Sequence, residues 1–264
     1  MMTVQDRVEG ILVGLAAGDR NGGPIRMALR LAESLVALQR FDRADILQRY
    51  LAWWNEGGFD SGPVAAQVFS LVSAGISPHD VPARVHEANA GLTAGCNPAH
   101  RSAPLAMAAC LADDDLAAAA QEEAALTHWH PQAGDVAAAT VVLCRALVRG
   151  SPWAAALEIA GHGRSPQTIA ALLDPARGEL SRGGFAPAVL QAAIFFVQTH
   201  SSFSDALDAA IAHAGPANYC PVLVGVIGGV RWGAASIEPR QFQHCDLLAQ
   251  VRQRAQELAQ PWAL

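Results

Sequence analysis

The chain has 264 residues, a formal net charge of −6, 52% hydrophobic residues and only 16% charged ones, enough length for one large core and less charge than the roughly 25% of average soluble domains. Every basic residue is arginine, because no lysine occurs; this excludes Schiff-base chemistry and a Walker A phosphate loop, and an acidic chain without a basic cluster is unsuited to wrapping nucleic acid. No apolar run of about 18 residues predicts a membrane span, the N-terminus does not read as a secretory signal, and five scattered cysteines with no CxxC pair predict buried thiols in a reducing cytoplasm.

From the N-terminus onward, helical periodicity dominates. Val8, Ile11, Leu12 and Leu15 sit at helix spacing, as do Leu29, Ala32, Leu35, Val36 and Leu38. Asp42-Arg43-Ala44-Asp45 reads as a cap leading into a helix over Ile46 to Trp54, and the prolines of Ser77-Pro78 and Asp80-Val81-Pro82 suit a first helical turn. Further helices are predicted over 103–112, 115–125, 131–149, 152–161, 166–173, 186–199, 203–213, 220–233 and 244–259. Phe195-Phe196-Val197 is the one strand-like triplet, and it lies inside helix-period sequence. No linker, charge run or internal repeat divides the chain. The expectation is an all-α fold, a single orthogonal multi-helix domain over residues 1–264, with about a dozen helices. Loops at 18–26, 57–63, 91–102, 174–185 and 214–219 carry most of the glycines and the unusual polar residues, where sites tend to lie.

Motifs cluster at those loops. Near the C-terminus, Ala214-Gly215-Pro216-Ala217-Asn218-Tyr219-Cys220 leads into Gly225, Gly229 and Gly233, a spacing that predicts three side-chain-free positions on one helical face. Gly14-Leu15-Ala16-Ala17-Gly18-Asp19 precedes Gly22-Gly23-Pro24-Ile25 and the helix Met27 to Leu35. Tyr50-Leu51-Ala52-Trp53 is followed by Asp60-Ser61-Gly62, and Gly95-Cys96-Asn97-Pro98-Ala99-His100-Arg101-Ser102-Ala103-Pro104-Leu105 by Thr127-His128-Trp129-His130-Pro131. Taken in chain order, the motifs closely resemble those of the ADP-ribosylglycohydrolase family, which includes dinitrogenase-reductase-activating glycohydrolase. The resemblance implies an all-α fold, a cleft shared by four of the five loops, and hydrolysis of an ADP-ribosyl bond at its anomeric carbon.

The same resemblance locates a departure. Family members hold two magnesium ions with Thr-Asp-Asp-Thr near the N-terminus and with Gly-Gly-Asp-Thr-Asp-Thr near the C-terminus. The first motif aligns with Gly22-Gly23-Pro24-Ile25, and the acids and final threonine of the second with Pro216, Asn218 and Tyr219. Magnesium needs oxygen ligands, several of them carboxylate, so neither metal nor any other cofactor is expected. The segment after Asp19 is also far shorter than in the family, which would remove a loop overhanging the cleft.

Two readings follow for the site. One is an altered glycohydrolase in which Asp60 or Asp19 does the catalytic work without magnesium, on an N-ribosyl bond. The other is an inactive pseudoenzyme that serves as a binding or scaffold protein. In both, the partner would be ADP-ribose, a related nucleotide or a modified protein, with no nucleic acid and no membrane. Candidate ligand-binding residues are Arg20, Asn21, Gly22, Gly23, Arg26, Asn97, His100, Arg101, His128, Asn218 and Tyr219. Backbone amides of a glycine turn and neighbouring guanidinium groups suit an anion, while Asp-Ser-Gly equally suits a turn or helix cap. Cys96 with His100 could form a nucleophile pair, and His128 with His130 a metal pair, although histidines two apart do not share a helix face. Thr127 or His128 is expected to cap the helix that follows.

Overall fold

The protein is described by a computed structural model of residues 2–263, so Met1 and Leu264 of the expected domain lie outside the described residues. In chain order its helices are α1 (Val4–Gly18), α2 (Gly23–Leu38), α3 (Arg43–Asn55), α4 (Pro63–Ser73), α5 (Val81–Ala88), α6 (Asn97–Arg101), α7 (Pro104–Met107), α8 (Leu116–Ala124), α9 (Pro131–Val148), α10 (Trp153–Gly161), α11 (Pro166–Leu173), α12 (Ala186–Thr199), α13 (Phe203–Ala214), α14 (Tyr219–Trp232) and α15 (Leu248–Ala259). Among the described residues there is no strand; an isolated antiparallel bridge joins Gly95 to Phe185. Phe195-Phe196-Val197 lies within α12.

Local chemistry accounts for most boundaries. Proline stands in the first turn of α2, α4, α9, α11 and α12, where its missing N–H leaves no partner unsatisfied. Asp42 caps α3 by accepting from the N–H groups of Ala44 and Asp45, both at 3.1 Å, as its sequence predicts. The cap of α9 is His130 rather than Thr127 or His128: its Nδ1 accepts from Gln132 N at 3.2 Å.

The core is organised by α1 and α14, which lie antiparallel with backbone against backbone. A Cβ built on Gly14 would collide with the carbonyl oxygen of Gly225, and one on Gly225 with that of Gly14; Gly10 and Gly229 repeat the reciprocal arrangement, and Gly18 faces the carbonyl of Pro221. Each glycine therefore directs a Cα–H bond at the facing carbonyl, a weak hydrogen bond that only a residue without Cβ permits. Gly233 is not on this face. It has φ +84°, ends α14, and donates its N–H to Gly229 O at 2.8 Å.

Around that pair, α9 forms a second buried axis packed against α8, α10, α12 and α14. At 18 residues it is the one described helix long and apolar enough to cross a bilayer, contrary to the sequence reading, but 78% of it is buried against protein. The helix predicted over 103–112 stops at Met107 because Arg145 of α9 takes its carbonyls. The Arg145 guanidinium donates to the oxygens of Leu105, Ala106, Ala108 and Leu111 and pairs with Asp113 at 2.6 Å. Trp262 covers that guanidinium at 5.0 Å and donates to Met107 O at 2.8 Å. The last helix starts at Leu248 rather than at 244, after a tight turn in which Cys245 N donates to Phe242 O. Helix α4, entered through Gly62-Pro63, is an element that apolar periodicity did not predict.

The glycine contact makes a quantitative prediction. Gly14→Ala should lower stability by about 1–3 kcal/mol, the usual cost of an overpacked methyl, which is several degrees of Tm for a chain of this size. Gly183→Ala, at an exposed glycine with negative or extended φ and only the Ser181 hydroxyl nearby, should leave Tm unchanged in the same thermal melt.

Candidate functional site

The antiparallel pair sets the C-terminal end of α1 beside the N-terminal end of α14, and so brings Asp19 to Asn218. Asp19 is buried and its carboxylate is saturated with donors. Oδ1 accepts from Gly22 N at 2.9 Å, Asn21 N at 3.3 Å and Asn218 Nδ2 at 2.7 Å, while Oδ2 accepts from Ile25 N at 2.8 Å. Gly22, with φ +94°, offers no side chain to cap α2. Asp19 caps it from outside, and the helix N-terminus favours the negative charge. This cap is why α2 begins at Gly23 and the expected loop over 18–26 shortens to 19–22.

Asn218 is committed at both ends of its amide: besides donating to Asp19, its Oδ1 accepts from Arg20 N at 3.2 Å. The Arg20 guanidinium closes the same loop, donating to Gly215 O at 3.0 Å and to Ala217 O. Arg26 donates to Gly22 O at 3.0 Å, pairs with Asp246 at 2.6 Å and lies 4.9 Å over the Phe59 ring.

These residues do not fit a pair of magnesium ions. The positions aligned with the first acidic motif are the opening turn of α2, and Pro24 and Ile25 are buried. Asn218 Oδ1, at a position that aligns with a family aspartate, is occupied by an N–H. Tyr219 is half-buried with its ring against Gly184. Among the described residues, no three His, Cys, Asp or Glu come together in a way that could hold a metal ion.

What the loops do bring together is a cluster of polar side chains beside α6. The backbone of Phe59 and Asp60 lies against Gly23 so closely that a Cβ there would strike both carbonyls. Asp60 is exposed, at φ +50°. Partial burial of its carboxyl raises its pKa, the nearby charge of Asp19 adds to this, and hydrogen bonds from the Asn21 side chain and Gly23 N–H oppose it. The neighbouring Ser61 is buried with its hydroxyl unpartnered. Gly62, at φ +83°, lies under the amide of Asn97, and Gly95 lies between Asn97 and the Nε2 of His128. Hydrogen bonds from Cys96 N to Gly184 O at 3.0 Å and from Ala186 N to Ala94 O at 2.9 Å clamp the 91–96 loop to the segment before α12.

Two histidines here are buried, and their ring nitrogens have unused capacity: both on His100, and Nε2 on His128. Burial pushes the His100 pKa down to about 4, helped by the Arg101 charge against a backbone contact at Tyr219. Burial and then Arg101 hold His128 well below the usual imidazole range. Both rings are neutral near pH 7. Burial pushes the Cys96 thiol up, so it supplies no thiolate for a nucleophile pair with His100. His128 and His130 diverge, the latter capping α9.

Arg101, expected as a ligand contact, is fully buried instead. Its Nε pairs with Glu123 Oε1 at 2.6 Å, which also accepts from the Tyr50 hydroxyl at 2.8 Å, and its Nη2 donates to Thr127 Oγ1 at 2.8 Å. Thr127 Oγ1 in turn meets His128 Nδ1 at 2.8 Å. Tyr50, Glu123 and Thr127 were therefore missed as supports of the site. One signal was available: an acid at Glu123 inside an alanine-rich helix face, which requires a buried partner.

Two consequences can be measured. Asn218→Asp would set a second carboxylate against Asp19 and remove a hydrogen bond to a charged group, costing about 1.5–3 kcal/mol near pH 7. Because the like charges raise the folded-state pKa of the pair, the deficit should shrink as pH falls and grow as it rises in urea melts. His100 acts in the opposite sense. Its folded pKa of about 4 lies below the ordinary imidazole value of about 6.5, so its contribution is present above pH 6.5 and lost as pH falls towards 4, by roughly 3 kcal/mol. His100→Phe should remove that part of the pH dependence.

Comparison with known proteins gives the geometry its family. The model of the ADP-ribosylglycohydrolase family matches residues 24–263. A solved structure, an "ADP-ribosylglycohydrolase-related protein complex", superposes with a TM-score of 0.81 at 24% identity, covering 98% of this chain and 99% of that one. A search of curated proteins gave no significant match. The structural likeness shows the fold; the family match over nearly the whole chain shows that the protein belongs to the ADP-ribosylglycohydrolase family.

Proposed function

We propose that this protein binds an ADP-ribose-like or other ribosyl ligand at the cluster of Asp60, Asn97, His128 and Tyr219, without a dinuclear magnesium centre. The observation that carries this reading is the Asn218 amide, hydrogen-bonded to Asp19 on one side and to Arg20 N on the other. It joins where the family's ions would separate. Support for a ligand comes from the unpartnered buried atoms of Ser61, His100 and His128, since buried polar groups are normally satisfied. Arg20, Arg26 and Arg101 direct most of their donors at carbonyls and carboxylates of the protein, with only Arg20 Nε and Arg101 Nη1 buried and unpartnered. Recognition therefore falls on neutral groups, which suit the hydroxyls of a ribose better than a phosphate.

Metal-independent hydrolysis is favoured by one observation, the raised carboxyl of Asp60 in the same cluster. As a general base, Asp60 would take a proton from water while the water oxygen bonds to the anomeric carbon. The C–N bond breaks as that C–O bond forms, through a cation-like sugar, and the leaving nitrogen takes a proton from solvent. Asp19, with its lone pairs filled by N–H donors, suits a positioning role. Without turnover, the same cleft serves as a binding module, for a free nucleotide or a modified protein.

The test is a thermal-shift titration with ADP-ribose, in magnesium and again in chelator. Saturation at 100-fold over Kd stabilises by about 2.7 kcal/mol, several degrees here, and the shift should be the same in both buffers. A shift that requires magnesium would contradict the reading. Asp60→Asn should retain the shift while abolishing any release of ribosyl product.

A further inference from the structure

The buried network behind the cluster contains one ambiguous proton, and its hydrogen-bond inventory resolves the ambiguity. A guanidinium has no acceptor, so Arg101 Nη2 must donate to Thr127 Oγ1 across their 2.8 Å contact. Thr127 is fully buried, and its own hydroxyl proton needs an acceptor; His128 Nδ1 lies 2.8 Å away. If Nδ1 accepts, a neutral imidazole carries its proton on Nε2. The depressed pKa of His128 agrees with a neutral ring. That Nε2 is buried and has no partner in the protein. It lies against Gly95, where a Cβ would come within 3.2 Å of His128 Nε2 and 3.5 Å of Asn97 Oδ1.

We infer that the buried Arg101–Glu123 pair acts through Thr127 to fix His128 as the Nε2–H tautomer, offering a neutral donor beside Asn97 to an uncharged acceptor oxygen of the ligand, alongside Gly95. Arg101, Glu123 and Tyr50 are positioning residues in this arrangement, because they reach His128 through Thr127. The ligand half of the inference rests on the ribosyl reading above; the tautomer does not.

Long-range 15N–1H correlation on the unliganded protein reads the ring directly. The expected spectrum has Nε2 protonated and Nδ1 bare, and a ring protonated on Nδ1 would overturn the assignment. Thr127→Val should redistribute the proton between the two nitrogens and Thr127→Ser should restore it; a Val variant with the native pattern would remove Thr127 from the account. For the ligand half, Gly95→Ala should leave the tautomer in place while weakening ADP-ribose by at least about tenfold, the equivalent of 1.4 kcal/mol. Unchanged affinity in that variant would overturn the proposed donor position. A native protein with the predicted tautomer and no ADP-ribose shift would overturn the ribosyl reading and leave the relay standing.

Discussion

The reciprocal glycine contact between α1 and α14 is the constraint on which the rest of the structure depends. Helices with ordinary side chains pack roughly 8–10 Å apart, whereas Gly10, Gly14, Gly18, Gly225 and Gly229 let carbonyl and Cα–H meet directly. The close approach does more than fill a core. It fixes the end of α1 against the start of α14, and so decides that Asp19 and Asn218 share one buried spot. A looser pair would separate them, release the cap of α2, and let the 215–217 loop move away from Arg20.

At that spot the Asp19 carboxylate is held by hydrogen bonds from N–H groups. A second carboxylate facing Asp19 would require a cation between them, since buried like charges cannot both stay ionised unaided. Asparagine has nearly the same shape and one end that donates. It pairs Asp19 with N–H groups alone. The three nearby arginines follow the same logic, each directed at a carbonyl or carboxylate of the protein. The histidines are the exception. His100 and His128 are buried with unused ring nitrogens.

The fold was largely legible in the sequence because its determinants are local or periodic: apolar spacing, prolines in first turns, and glycines four apart. The family motifs fixed the rest of the architecture. What could not be read was long-range. Arg101 stands in a loop motif that suggests an exposed guanidinium, yet Glu123, 22 positions away, draws it into the core. Arg145 ends α7 early by capturing carbonyls some 40 positions distant. Gly233 continues the glycine spacing but belongs to a chain reversal, since the period alone does not say where a helix stops. The Asn218 substitution was visible in sequence. That both ends of its amide are occupied required the three-dimensional arrangement.

The central proposal is that a hydrogen-bonded staple, and no metal ion, stands where Asn218 aligns with a family metal ligand. The most direct measurement is a crystal grown or soaked in millimolar manganese, which replaces magnesium at oxygen sites and is located by its anomalous scattering. The account predicts no anomalous peak near Asp19, with Asn218 Nδ2 still within hydrogen-bond distance of the carboxylate. A manganese ion ligated there, with the Asn218 amide swung aside, would contradict it.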